Sequence, residues 1–143
     1  MLLELQDRLR ALIEGQPYFA GITVITERKG DVLTEIEQAL AKLQFSVVVA
    51  TAEGEAQDGG EGSRPVWDLR LNVSLIQSVL LDDQAETRNV IVGLEAAIAA
   101  IQNQPVNVEG LGPRRFAVTR FESIPEENVT IHQLTVSCIG HLN

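Results

Sequence analysis

The sequence predicts an α+β fold, a two-layer sandwich of a mainly antiparallel sheet with helices packed on one face. Three observations predict it. Trp67, Leu69, Leu71, Val73 and Leu75 alternate with Asp68, Arg70, Asn72 and Ser74, and a period of two over that length marks a long strand with one dry and one wet face. Three other stretches carry apolar residues at three- and four-residue spacing, the mark of amphipathic helices. Predicted strands also follow one another directly at two places, which calls for antiparallel pairing.

The elements follow in order. Leu2, Leu5, Leu9, Leu12 and Ile13 form the first helical stripe, and Gly15 and Pro17 end it. Residues 21–26 are rich in β-branched side chains and read as a short strand, followed by a polar turn at 27–30. Asp31 suits a helix N-cap, because its carboxylate can accept from the free N–H groups of the first turn. Val32, Leu33, Ile36, Ala39, Leu40 and Leu43 continue at helical spacing. Three consecutive valines in 45–50 predict a buried strand. Residues 53–65 hold four glycines and no apolar anchor beyond Ala56, so burial cannot offset their ordering entropy and a mobile loop is expected.

After the long strand, the acidic stretch 82–87 suits the start of a helix, where the macrodipole favours negative charge. Val90, Ile91, Leu94, Ala97, Ile98 and Ile101 make the third stripe. Gly93 and the neighbouring alanines leave one side of that helix narrow enough for close packing. Residues 110–113 read as a turn, and 115–123 and 129–140 as two strands able to form a hairpin. The whole chain, 1–143, reads as one domain with a mobile loop at 53–65.

Composition narrows the function classes. With 143 residues, 45% hydrophobic and only 4% aromatic, the chain has the size of one domain and needs an aliphatic core. Its formal charge of −9, from 20 acidic and 11 basic residues, repels phosphate backbones and anionic lipid. Sequence-specific nucleic-acid binding and membrane association are not expected. Glu4, Asp7, Arg8 and Arg10 interrupt the first apolar run, so no signal peptide is expected. The single cysteine, Cys138, leaves no intramolecular disulfide to form, and a cytoplasmic location follows as the expectation.

Candidate chemistry is sparse. Cys138 lies near His132 and His141 in sequence, but a nucleophilic pair needs convergence in space and a third orienting group. Two histidines and a cysteine at these spacings match no zinc pattern. The carboxylates of 53–61 lack the spacing of a calcium loop. Gly59, Gly60 and Gly62 are followed by no lysine or helix start, so no phosphate cradle is read there. No catalytic residue, metal or cofactor is expected. Residues offered for protein contact are Arg70 and Asn72, on the wet face of the long strand, and Arg114 and Arg115, a pair expected to be a solvated strand start.

The leading helix MLLELQDRLRALI, the strand VWDLRLNVSLIQSV, the helix TRNVIVGLEAAIAAIQ and the closing pair FAVTRFESI and VTIHQLTVSCIG together resemble the tail terminator, or tail completion, proteins of long-tailed phages and prophages. The likeness spans nearly the whole chain and contains no diagnostic motif. It implies a small α+β protein without cofactor that forms a homo-oligomeric ring, usually a hexamer, at the head-facing end of the tail tube. The partners it implies are other copies of the chain, the tail tube protein and the head or neck connector. The implied location is the host cytoplasm during assembly and then the virion tail. The residues also allow a small-molecule-binding or regulatory α+β domain, or a small hydrolase using Cys138 and a histidine.

Overall fold

The structure is a computed structural model that describes residues 2–57, 66–78, 90–108 and 113–140. The described residues form helices α1 (Leu2–Glu14), α2 (Val32–Leu43) and α3 (Val90–Ile101) and strands β1 (Ile25–Thr26), β2 (Phe45–Gln57), β3 (Val66–Ser78), β4 (Pro105–Val106), β5 (Arg114–Pro125) and β6 (Val129–Gly140). The strands make one sheet in the order β1-β2-β3-β6-β5-β4. β1 and β2 are parallel, and every other pair is antiparallel. The fold is therefore α+β, with two long hairpins, β2–β3 and β5–β6, joined through the β3–β6 ladder.

The alternation at 67–75 does what its period requires. Leu69, Leu71, Val73 and Leu75 are buried on one face, where they meet Val47 and Val49 of β2 and Leu134 and Val136 of β6. Leu5, Leu9 and Ile13 of α1 and Leu94, Ala97 and Ile101 of α3 cover that face. Asp31 caps α2 as expected, its carboxylate accepting from the Thr34 N–H at 3.1 Å and from the Thr34 hydroxyl at 2.7 Å. These bonds hold its carboxyl below the usual carboxylate range.

The helices do not share one face. α2 packs through Val32, Ile36, Ala39 and Leu40 on Ile25, Val48 and Ile76. These three strand residues are sequence neighbours of Val24, Val49 and Leu75, which face α1 and α3, so α2 lies on the opposite side. The cause is topological. β1 and β2 are adjacent and parallel, and parallel neighbours need a crossover over one face of the sheet. The run Val47–Val49 makes this workable by supplying apolar side chains to both faces at once.

Two further expectations change. Residues 53–57, expected to begin a mobile loop, are paired in β2, with Glu53 opposite Arg70 and Gln57 opposite Val66. Backbone bonds to the long partner strand hold them although no apolar anchor does, while the rest of that expected loop, 58–65, lies outside the described residues. Arg114, expected in solvent, is only 5% exposed. It begins β5 opposite Gly140 and lies beside Cys138, on the helix-covered side. Among the described residues, no helix is long and apolar enough to cross a membrane.

Candidate functional site

The face that carries α2 is only half covered. Beyond α2 the strands present a shallow polar surface made by Glu53, Arg70, Asn72, Arg120, Thr135 and Ser137, with Thr119 and Gln133 at its margin. Register explains the grouping. Ala50, Asn72, Thr135 and Arg120 form one cross-strand row, and Glu53, Arg70, Ser137 and Ala117 the next. Arg70 Nη1 lies 2.7 Å from Glu53 Oε1, and Arg120 Nη2 lies 3.7 Å from Glu122 Oε2. All four side chains are more than half exposed, so each pair contributes roughly 0–1 kcal/mol. The charges alternate in sign across the surface, which makes it a hydrogen-bonding face rather than an anion site.

The four contact candidates therefore divide. Arg70 and Asn72 sit on the polar face. Arg115 shares that side, since its partner Ile139 is two residues from Ser137, and it donates to Asn103 Oδ1 at 3.5 Å. Arg114 points the other way and is buried, so it has no place in a surface contact.

Cys138 is 2% exposed. Burial pushes its thiol above the ordinary range, against an opposing pull from the Arg114 guanidinium. Six residues along β6, His132 stands roughly 20 Å away at about 3.3 Å per residue, so these two make no nucleophilic pair. His141 lies outside the described residues. A thiol whose pKa is raised stays protonated at neutral pH, and reactivity follows the thiolate. Alkylation of native protein by iodoacetamide at pH 7 should thus be slower than in urea by at least about 100-fold. Mass spectrometry of the labelled fraction over time checks this, and rapid native labelling would contradict it.

His132 instead meets Ser123 across the β5–β6 hairpin, with Oγ and Nδ1 2.8 Å apart. Sequence reading missed this pair, and the only signal for it was the facing position of the two residues in a hairpin. The adjacent Glu122 points to the other face, so the bond fixes register without forming a triad. Among the described residues, no group of three or more histidine, cysteine or acidic side chains is placed to hold a metal.

A second feature is a cavity of about 190 Å³ beside α2, lined by Ile22, Ile25, Phe45, Glu35, Gln38 and Lys42. Pockets for small ligands usually hold about 300–1,000 Å³, so this one suits only a small molecule.

The third feature is the sheet's edges. β4 covers β5 only at Arg114 and Arg115, and the Val118 N–H is taken by Gln102 Oε1 at 2.8 Å. From Thr119 to Pro125 no described strand pairs with the outer side of β5. At the other end, β1 covers only Val48 and Val49 of β2. The Thr51 N–H reaches Glu27 Oε1 at 2.6 Å, and beyond it the outer side of β2 has no described strand. Phe121, in the open part of β5, is 60% exposed, as are Ile91 and Val92 at the start of α3 to about half. Comparison of the chain with protein-family models and with curated proteins finds no match.

Proposed function

We propose that this chain is a structural subunit of a phage-type tail, which forms the ring that ends the tail tube and joins it to the neck. The observation that supports this reading is the sheet with two different open edges, on β5 and on β2, towards the two ends of its strand order. Two unlike surfaces on opposite sides of a subunit favour a head-to-tail contact, which closes into a ring when the rotation per copy allows it. Unpaired strand edges supply the backbone bonds for such a contact. On the same face the open part of β2 bears Glu53 and Glu55 and the open part of β5 bears Arg120 and Glu122, so charge favours the contact only through Arg120. In this reading the tube protein and the head or neck connector dock on the two rims. The acidic balance keeps a channel through which DNA passes from trapping the DNA backbone.

Light scattering on a sizing column, over a wide range of protein concentration and salt, tests the reading together with electron microscopy of the heaviest species. The expected species has about six copies around a central opening, alone or seated on tube ends. If no closed ring forms in solution or on tubes, the reading fails. The alternative, a small-molecule-binding or regulatory domain, draws on the cavity beside α2, and a thermal shift with a small metabolite would then be the result that favours it.

A further inference from the structure

We propose that the open edge of β5 pairs with the same edge of a second copy, antiparallel, about a two-fold axis at Phe121. This goes beyond the ring and stands on the strand's own sequence and register.

The first argument is which backbone groups point outward. In an antiparallel ladder, residues alternate between pairs that bond across to the neighbour and pairs whose groups point away. Phe116 donates outward to Gln104 O at 3.0 Å and Val118 outward to Gln102 Oε1 at 2.8 Å. Across the ladder these two face Cys138 and Val136 of β6. The next β6 residues of the same kind are Leu134 and His132. A bulge at Thr119 shifts the register, so their partners are Phe121 and Ser123. Phe121 and Ser123 therefore turn their N–H and C=O groups to the edge, where no described strand pairs with them. A two-fold axis at Phe121 lets each copy's Phe121 N–H donate to the other's Phe121 C=O.

The second argument is charge. With the axis at Phe121, Arg120 stands opposite Glu122 of the second copy, and Glu122 opposite its Arg120. Both lie on the polar face, and their neighbours on β6, Thr135 and Gln133, are uncharged. Opposite charges directly across a strand pair stabilise it and like charges destabilise it. Moving the axis by one residue sets Glu122 against Glu122, or Arg120 against Arg120, so the sequence favours one register. The bulge and Pro125 close the paired stretch at its two ends, since proline has no N–H to donate.

The third argument is Phe121 itself. It lies on the helix-covered face, opposite the fully buried Leu134, yet is 60% exposed. The axis brings two such rings face to face across the new strand pair, and aromatic pairs at these positions are among the more stabilising. Charges on an edge strand often serve only to repel other strands. Here they are of both signs and neutralise one another in the register that also covers the ring. The pair occupies the β5 edge that a head-to-tail ring would use, so it is a reserve form that must open before the ring closes.

Sedimentation of the full chain, at concentrations below those that give any larger species, tests the pairing. Wild type is expected to dimerise. Arg120→Glu and Glu122→Arg each place like charges opposite twice per dimer, and should weaken it about tenfold or more. The double exchange restores opposite charges and should recover the wild-type constant. Each change is on an exposed side chain, and the double exchange is the internal check on folding. Phe121→Cys should form a covalent dimer under mild oxidation, because residues at such a position have Cα atoms about 5.5 Å apart. A chain that stays single at every concentration overturns the pairing. So do reversals without effect, a double exchange that fails to recover, or a dimer that Phe121→Cys does not cross-link. Rings with none of these dimer effects would leave the tail reading standing, and dimers without rings would leave the pairing standing.

Discussion

Gly93→Val is expected to lower the unfolding free energy by about 2–3 kcal/mol, the cost of forcing extra atoms into a packed site. A Cβ at Gly93 would lie 2.5 Å from Cε1 and 2.8 Å from Cζ of Tyr18, closer than carbon atoms approach. The ring cannot simply swing away. It packs edge-on against Phe19, with centroids 4.9 Å apart, and against Phe45 at 6.3 Å. Gly93→Ala separates two effects of opposite sign. Alanine favours the helix by about 1 kcal/mol over glycine, while its methyl meets the same ring. The close approach should win, leaving the alanine variant less stable than wild type, though less so than valine. Urea unfolding measures all three. Tyr18→Leu removes the ring, and in that background Gly93→Ala should become stabilising, a change of sign that a double-mutant cycle reads directly. An alanine variant more stable than wild type, with tyrosine in place, would show that the helix yields easily here.

This site shows what the sequence could and could not reveal. The narrow side of α3 was legible, because glycine and alanines recur on it. Its neighbour was not, since Tyr18 is a turn residue far away in the chain and periodicity carries no information on such contacts. The same limit governs α2. Its stripe says that one side is buried, but the parallel β1–β2 pairing decides which face of the sheet it meets. The tail of β2 departs from its expectation for another reason. Residues 53–57 lack the alternating pattern, and their order comes from backbone bonds to β3, a strand whose own pattern is strong. Of the contact candidates, the period-two rule placed Arg70 and Asn72 on the polar face. It could not separate Arg114 from Arg115, because the adjacent residues point to opposite faces and only the sheet shows which is covered. The open edges were hidden for the same reason, since the extent of β4 and β1 depends on pairing rather than on local propensity.

Gln6→Leu is expected to cost about 2–3 kcal/mol, although it replaces a polar side chain in the core with an apolar one of similar size. Gln6 is fully buried within the stripe of α1, where sequence rules expect a hydrophobe. Its amide is satisfied at both ends. Nε2 donates to Thr51 Oγ1 at 2.9 Å, and Oε1 accepts from the Glu27 N–H at 3.0 Å. Leucine would leave the Glu27 N–H without its acceptor and Thr51 Oγ1 without its donor at partly buried positions, and an orphaned polar group costs about 1–3 kcal/mol where water does not reach it. Adding Thr51→Val removes one of the two orphans, so the double variant should regain part of the loss, whereas a purely steric effect would not be relieved. Gln6→Glu gives a sharper test. In its protonated form the acid can both donate to Thr51 and accept from Glu27, as the amide does. Ionised, it buries a charge near the Glu27 carboxylate, and burial raises a carboxyl's folded pKa above its unfolded value. The penalty is then fully present above the folded pKa and disappears as pH falls below the unfolded one, near about 4.3. Urea midpoints for this variant should approach wild type on acidification. A gap that stays constant from neutral to acidic pH would mean that the side chain has left the core. The consequence reaches the edge of the sheet. Glu27 also accepts the Thr51 N–H at 2.6 Å, which closes the outer side of β2 at the point where its open part begins. Loosening Gln6 therefore lengthens the exposed edge, and hydrogen exchange at Thr51 should quicken in step with the loss of stability.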